Sequence, residues 1–207
     1  MIRPPTLDAL AAEGVRFTHA FATTASCSAS RSAILTGLHN HRTGQYGHTH
    51  DYHHFACYDH IRSLPNLLTE AGYRTAIVGK HHVDPWEHFK FETILPGAGR
   101  NDVRMAENCR AFLQDDEDER PFFLYYATHD PHRGGKRLPD GTEAPIEDIE
   151  TADNFGNRQA GYEGVRDIDF DPEEVIVPGF LPDNPAARAE LVEYYKSVSR
   201  LDQGVGR

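Results

Sequence analysis

"YRTAIVGK" (Tyr73–Lys80) decides the fold. Its apolar residues run on without the alternation of a half-exposed strand, so it reads as a strand buried on both faces. "SLPNLLTEAG" (Ser63–Gly72), a short helix with a glycine stop, leads into it. "PFFLYYAT" (Pro121–Thr128) is a second buried strand, preceded by a helix over Val103–Leu113. Helices alternating with continuous apolar strands imply an α/β fold around a mostly parallel sheet. In such sheets ligands sit beyond the carboxyl ends of the strands. Two polar clusters fall there: "GKHHVDP" (Gly79–Pro85) after the first strand and "HDPHR" (His129–Arg133) after the second.

The rest of the chain is read outward from these strands. Thr6–Glu13 is a helix, with Leu7, Leu10 and Ala11 on one face. Val15–Ala22 alternates and suggests a strand or extended segment. Ser28–Thr36 is a helix stopped by Gly37. Residues 133–180, rich in Gly, Pro and Asp, read as a long surface excursion. Pro185–Asp202 is an amphipathic helix. There is no internal repeat and no low-complexity linker, so the 207 residues read as one domain.

Composition narrows the function classes. Hydrophobic content of 39% and charged content of 26% fit a soluble globular chain. No run of eighteen apolar residues is present to span a membrane. The net charge of −11 disfavours nucleic acid, and an anionic ligand then needs a local basic pocket. Cys27, Cys57 and Cys109 are too few and too widely spaced for a disulfide framework or a CxxC metal knuckle. Cys57 and Cys109 read as buried thiols. The first residues lack the apolar core of a signal peptide, and the compartment is left open.

"SCSASRSAILTG" (Ser26–Gly37) carries the chemistry. It places Cys27 at a helix start, where free N–H groups and the dipole favour anions and lower a thiol's pKa. Arg31 follows one turn later on the same face. Lys80 adds a point charge, and His82 and His132 add proton donors. Together they describe a pocket for a tetrahedral oxyanion with a nucleophile at its base. A lone cysteine is more often a small buried hydrophobe, but "CSASRS" is too polar for a core segment. A thiolate phosphatase needs Cys-x5-Arg, and Ala33 stands at that arginine position. A Cys-His hydrolase would leave Arg31 and Lys80 without a role.

"CSASR" followed by "LTG" resembles the sulfatase signature, with Ala29 in place of the commoner proline. The resemblance continues through "LPNLLTEAGYRTAIVGKHH", "PFFLYYATHDPHR" and "NPAARAELVEYYKSVSRLDQGVG". "GQYGHTHDYHHFACYDHIRSLPNLL" and "DPEEVIVPGFLPDNPAARAEL" resemble the N-sulfoglucosamine sulfohydrolase branch of that family. The resemblance implies an alkaline-phosphatase-like sandwich with a mostly parallel central sheet flanked by helices. It implies hydrolysis of a sulfate ester or sulfamate, above all the N-sulfo group of glucosamine in heparan-type glycans.

In that reading Cys27 is converted to Cα-formylglycine by a formylglycine-generating enzyme, and then serves as nucleophile and as a ligand to Ca2+. Arg31 holds the hydrated aldehyde in its anionic form. Lys80 binds a sulfate oxygen, and His82 bonds the diol and helps expel sulfate. His132 contacts the sulfo group and protonates the leaving nitrogen or oxygen. His129 is read as a support residue, Asp130 as a turn former and His81 as a surface residue.

His48, His50, His53 and His54 lie in a loop that borders the pocket, with His53 and His54 as sugar contacts. Zinc binding ranks lower, because "HTHDYHH" offers no second ligand pair. The resemblance also implies that residues 1–207 are a partial N-terminal catalytic domain, incomplete in this chain. The family's first strand with its aspartate pair, and its later Asp-Asn pair, are not among these residues. The chain alone is therefore expected not to be a competent hydrolase. Partners implied are a sulfated sugar or glycosaminoglycan, with a homodimer left open. Relatives are typically lysosomal, periplasmic or secreted. A phosphoester or phosphonate hydrolase of the same fold, and an inactive truncated module, remain the alternatives.

Overall fold

The computed structural model describes residues 2–50, 52–134 and 155–207. The chain divides into two compact units. One comprises Phe17–Pro96 with Ala111–Ala127; the other comprises Met1–Arg16, Gly97–Arg110 and Thr128–Arg207.

The first unit contains the sheet. Its helices are α2 (Cys27–Thr36), α3 (Asn40–Thr43) and α4 (Leu64–Glu70), and its strands are β1 (Arg74–Gly79), β2 (Thr93–Leu95) and β3 (Phe122–Ala127). All pairings are parallel, in the order β2-β1-β3, with Ile77 opposite Ile94 on one side and Tyr125 on the other. The central strand is buried from Arg74 to Val78, as a continuous apolar run requires. Arg74 is tolerated there because its guanidinium donates to the Phe112 carbonyl at 3.1 Å and lies 5.0 Å from the Phe112 ring. The core is Leu35, Ile77, Phe89 and Phe91 with their neighbours. Full burial of a side chain such as Leu35 contributes about 2–3 kcal/mol.

β2 went unread in the sequence. Three residues between Glu92 and Pro96 are too short to show a period. Val15–Ala22 forms no strand; Val15 and Phe17 are each 78% exposed and Phe21 87%. Alternation makes a strand only where a neighbouring edge covers it, and none does so among the described residues.

α2 begins one residue earlier than the sequence predicts, so Cys27 is its first helical residue. Gly37 closes it at φ +68°, a left-handed backbone that suits glycine, and its N–H reaches the Ala33 carbonyl. The buried face is Ser28, Ala29, Ser32 and Leu35. Its small residues let the following turn approach closely: Asn40 Nδ2 donates to the Ala29 carbonyl at 2.6 Å.

The second unit is organised by two helices, α1 (Pro5–Glu13) and α6 (Pro185–Val205). α1 has no side-chain cap of its own. Asp202 of α6 supplies one, accepting the Thr6 and Leu7 N–H groups at 3.2 and 2.9 Å. α6 is capped by Asn184, which accepts the Ala187 N–H at 2.9 Å. α5 (Asp102–Leu113) belongs to this unit up to Arg110. A Cβ at Gly204 of α6 would lie 2.6 Å from the Asp102 Cβ, so only glycine fits there.

Residues 155–180 are not a plain surface excursion. Phe155 and Val175 are buried, and Val175 packs with Val192 and Tyr195. Composition reports the polar majority of such a segment and hides its single apolar anchors. Residues 135–154 of that predicted excursion lie outside the described residues. No helix among the described residues is long and apolar enough to cross a membrane.

Candidate active site

In the sheet unit, half-buried Cys27 sits at the amino end of α2. The fold brings two imidazoles to it: the ligand atoms of Cys27, His48 and His82 all lie within 4.8 Å of one another. His82 follows β1 with a left-handed backbone, φ +60°, which is uncommon outside glycine and is held here by its surroundings. Its ring stacks on His50 at 4.9 Å and on His48 at 5.4 Å. Burial lowers the His82 pKa to about 4, helped by the charges of Lys80, His50, His48 and Arg31. At neutral pH His82 is therefore an uncharged imidazole, able to accept a proton.

Arg31 ties α2 to the carboxyl ends of two strands. Its Nη1 donates to the Lys80 carbonyl at 2.7 Å and to the Tyr125 hydroxyl at 3.3 Å. The Lys80 N–H in turn donates to the Ala127 carbonyl at 2.8 Å. The two charges that sequence reasoning assigned to an oxyanion thus hang on one backbone junction.

His81 is not the surface residue expected. Its Nε2 donates to the Phe89 carbonyl at 3.1 Å, and its ring lies 4.4 Å from Trp86. Burial lowers its pKa. Side chains alternate across a strand's continuation, so His81 faces the aromatic core while His82 faces Cys27. His53 and His54 are exposed in the loop, with the His53 ring 4.2 Å from Tyr52. The fold turns His48, rather than these two, toward residue 27, with His50 stacked beside it. Cys57 and Cys109 are buried thiols as expected, and burial pushes Cys57 up to about 11.

His132 belongs to the other unit, where its ring is exposed and its backbone is held firmly. Arg100 Nη2 donates to the His132 carbonyl at 2.7 Å, and the His132 N–H donates to the His129 carbonyl at 2.8 Å. Asp130 is more than a turn former. Its carboxylate is fully buried and accepts from Arg100 and Arg200, each at 2.6 Å. Neither arginine was singled out from the sequence; they stand 30 and 70 positions from Asp130, and nothing local marks them.

Asp102 adjoins this pair, fully buried and hydrogen-bonded to Asp130. Burial first, and the Asp130 charge second, push its pKa up to about 8. The folded chain therefore keeps a proton that an unfolded Asp, with a pKa of about 3.9, has lost. Because the folded state binds more protons across that window, stability falls as pH rises from about 4 to about 8. Asp102→Asn removes this slope. Urea midpoints across the range check it; an unchanged slope in the variant would exclude Asp102 as the source.

Calcium takes six to eight hard oxygen ligands. The donors gathered at Cys27 are a sulfur and two imidazoles, and among the described residues no other such cluster of three ligands forms. This set does not fit calcium.

The family model described as Sulfatase matches residues 2–207. Human N-sulphoglucosamine sulphohydrolase is 45% identical over 99% of this chain and 41% of its own length. An N-acetylglucosamine-6-O-sulfatase of Bacteroides thetaiotaomicron is 27% identical over 67% of this chain and 28% of its own. The chain thus spans less than half the length of these relatives. Among solved structures, one from a study of glycosaminoglycan metabolism in Bacteroides thetaiotaomicron superposes with a TM-score of 0.65 at 17% identity, covering 99% of this chain and 49% of that one. The lipoteichoic acid synthase LtaP of Listeria monocytogenes superposes at 0.51 and 18% identity, covering 98% and 44%. These likenesses establish the α/β fold as alkaline-phosphatase-like.

Proposed function

The chain belongs to the sulfatase family, and from that premise we propose that it forms part of a hydrolase removing the N-sulfo group from glucosamine residues of heparan-type glycans. The 45% identity to human N-sulphoglucosamine sulphohydrolase across 99% of the chain carries this reading. The reaction consumes water and the sulfamate, and yields the ammonium sugar and sulfate. Converted to Cα-formylglycine, residue 27 would supply a hydroxyl oxygen for attack on sulfur.

The chain's own residues then have separable tasks. The sulfamate is anionic and repels a nucleophile, so positive charge has to be fixed before the substrate arrives. Arg31 is fixed by its bonds to the Lys80 carbonyl and Tyr125, which spares it reorganisation during turnover. The Lys80 ammonium takes a sulfo oxygen. Neutral His82 accepts a proton at residue 27 and so frees the oxygen–sulfur chemistry from bulk water. An amine leaves only when protonated, and His132 is the proton donor in this reading. His53 and His54, exposed in the loop, are the proposed sugar contacts. Calcium is typical of the family; its oxygen ligands would have to come from beyond the described residues.

Side-by-side turnover of N-sulfoglucosamine, an aryl sulfate and an aryl phosphate by the full-length protein tests the proposal. N-sulfoglucosamine is expected to be hydrolysed fastest. Faster phosphate turnover would replace the proposal with a phosphoester hydrolase.

A further inference from the structure

The cluster at α2 holds chemistry that the proposed reaction does not use. Sequence spacing argued against a transition-metal site, because the histidine-rich loop offers no second ligand pair. The fold supplies the missing donors from elsewhere: Cys27 from the start of α2 and His82 from the end of β1, beside His48 of the loop. Their ligand atoms lie within 4.8 Å of one another. Zinc bonds of about 2.0–2.3 Å set tetrahedral ligands roughly 3.3–3.8 Å apart. Small side-chain rotations close that difference. The Nδ1 atom of His82 is buried without a hydrogen-bond partner, an arrangement that a bound cation would resolve.

We propose that the chain with an unconverted Cys27 binds one zinc-type ion through the Cys27 sulfur and the imidazoles of His48 and His82. Water takes the fourth position. Thiolate and imidazole favour zinc or cobalt over calcium or magnesium, which prefer carboxylates and carbonyls. Binding exchanges the thiol proton, released to solvent, for a sulfur–metal bond; each imidazole gives a lone pair and the ion stays divalent. Conversion of Cys27 to the aldehyde deletes the sulfur donor, so the site belongs to the precursor form. It goes beyond the sulfamidase reading and holds whichever substrate the converted protein cleaves.

The test uses the full chain made in a host lacking the converting enzyme, titrated with Co2+. One equivalent is expected to bind, with a thiolate-to-cobalt charge-transfer band and the intense visible bands of four-coordinate cobalt. Zinc is expected to bleach both and excess calcium to leave them. Cys27→Ser loses the charge-transfer band. Loss of a neighbour that only orients a ligand weakens metal sites about 10–100-fold, so His48→Ala and His82→Ala should each weaken binding at least tenfold. Glutamine at either position serves if alanine prevents folding. His41→Ala, at an exposed position of α3, leaves the affinity unchanged and controls for the many other histidines. Zinc should also raise the melting temperature of the parent chain but not of Cys27→Ser. Absence of the charge-transfer band, or equal weakening by His41→Ala, would overturn the site. Neither result bears on the turnover comparison, which uses converted protein.

Discussion

Cys27→Ala is expected to abolish the proposed hydrolysis of N-sulfoglucosamine and to leave the fold intact. Two separate arguments lead to the two halves of that result. The fold should survive because Cys27 is only half-buried and is not a member of the core cluster of its unit, which is built on Leu35, Ile77, Phe89 and Phe91. Alanine is also the best helix former, and it stands at the first turn of α2, where Ser26 already provides the non-helical entry. Activity should be lost because in the proposed reaction residue 27 itself supplies the attacking oxygen, and alanine cannot be converted to formylglycine. His48 and His82 are bases and Arg31 is a fixed cation. Removing a covalent nucleophile costs on the order of 10⁴-fold or more. The measurement is turnover by the full-length protein from a converting host, with far-ultraviolet circular dichroism as the folding control. The mass of the peptide carrying residue 27 reports whether the parent is converted. A variant retaining more than about a hundredth of parent activity would remove Cys27 from the mechanism.

The site was partly legible, and the boundary follows a physical line. Cys27 and Arg31 are four residues apart on one helix, so local spacing placed them together. Lys80 and His82 could be assigned because a parallel sheet delivers whatever follows its strands to one edge. His81 and His82 show the limit of that reasoning. They are adjacent and chemically alike, yet one packs against Trp86 and the other stacks with His48 and His50. Only the direction of the chain after β1 separates them. Among the four loop histidines the sequence reading favours His53 and His54; that His48 lies beside Cys27 instead depends on the path of a loop with no periodicity. β2 stayed hidden because it is a short, half-exposed edge strand ordered by its pairing with β1, not by a pattern of its own. The Asp130 network was illegible for a related reason: a buried ion pair needs complementary charge at contact distance, and sequence separation says nothing of that distance.

That network carries the second large effect. Asp130→Ala is expected to destabilise the folded chain by about 3–5 kcal/mol, the usual result of removing one partner from a buried ion pair. The carboxylate is fully buried and both of its oxygens are engaged, one by Arg100 and one by Arg200. Alanine would leave two guanidiniums facing each other in a water-poor site. Arg200 keeps some compensation, donating to Asn157 Oδ1 at 2.6 Å and to the Phe155 carbonyl at 2.8 Å. Arg100 keeps the His132 carbonyl. These bonds satisfy donors but do not neutralise charge; only ionisation of the adjoining Asp102 offsets part of the electrostatic penalty. Asp130→Asn separates the two contributions. It preserves the shape and one acceptor oxygen while removing the charge, so it should fall between parent and alanine variant. In the same variant Asp102 loses the neighbouring carboxylate that helps hold its pKa up, and the pH slope of stability should shrink. Urea unfolding of the three proteins at matched pH measures both effects. If alanine and asparagine variants unfold at the parent midpoint, the Asp130 pairs with Arg100 and Arg200 do not stabilise the fold.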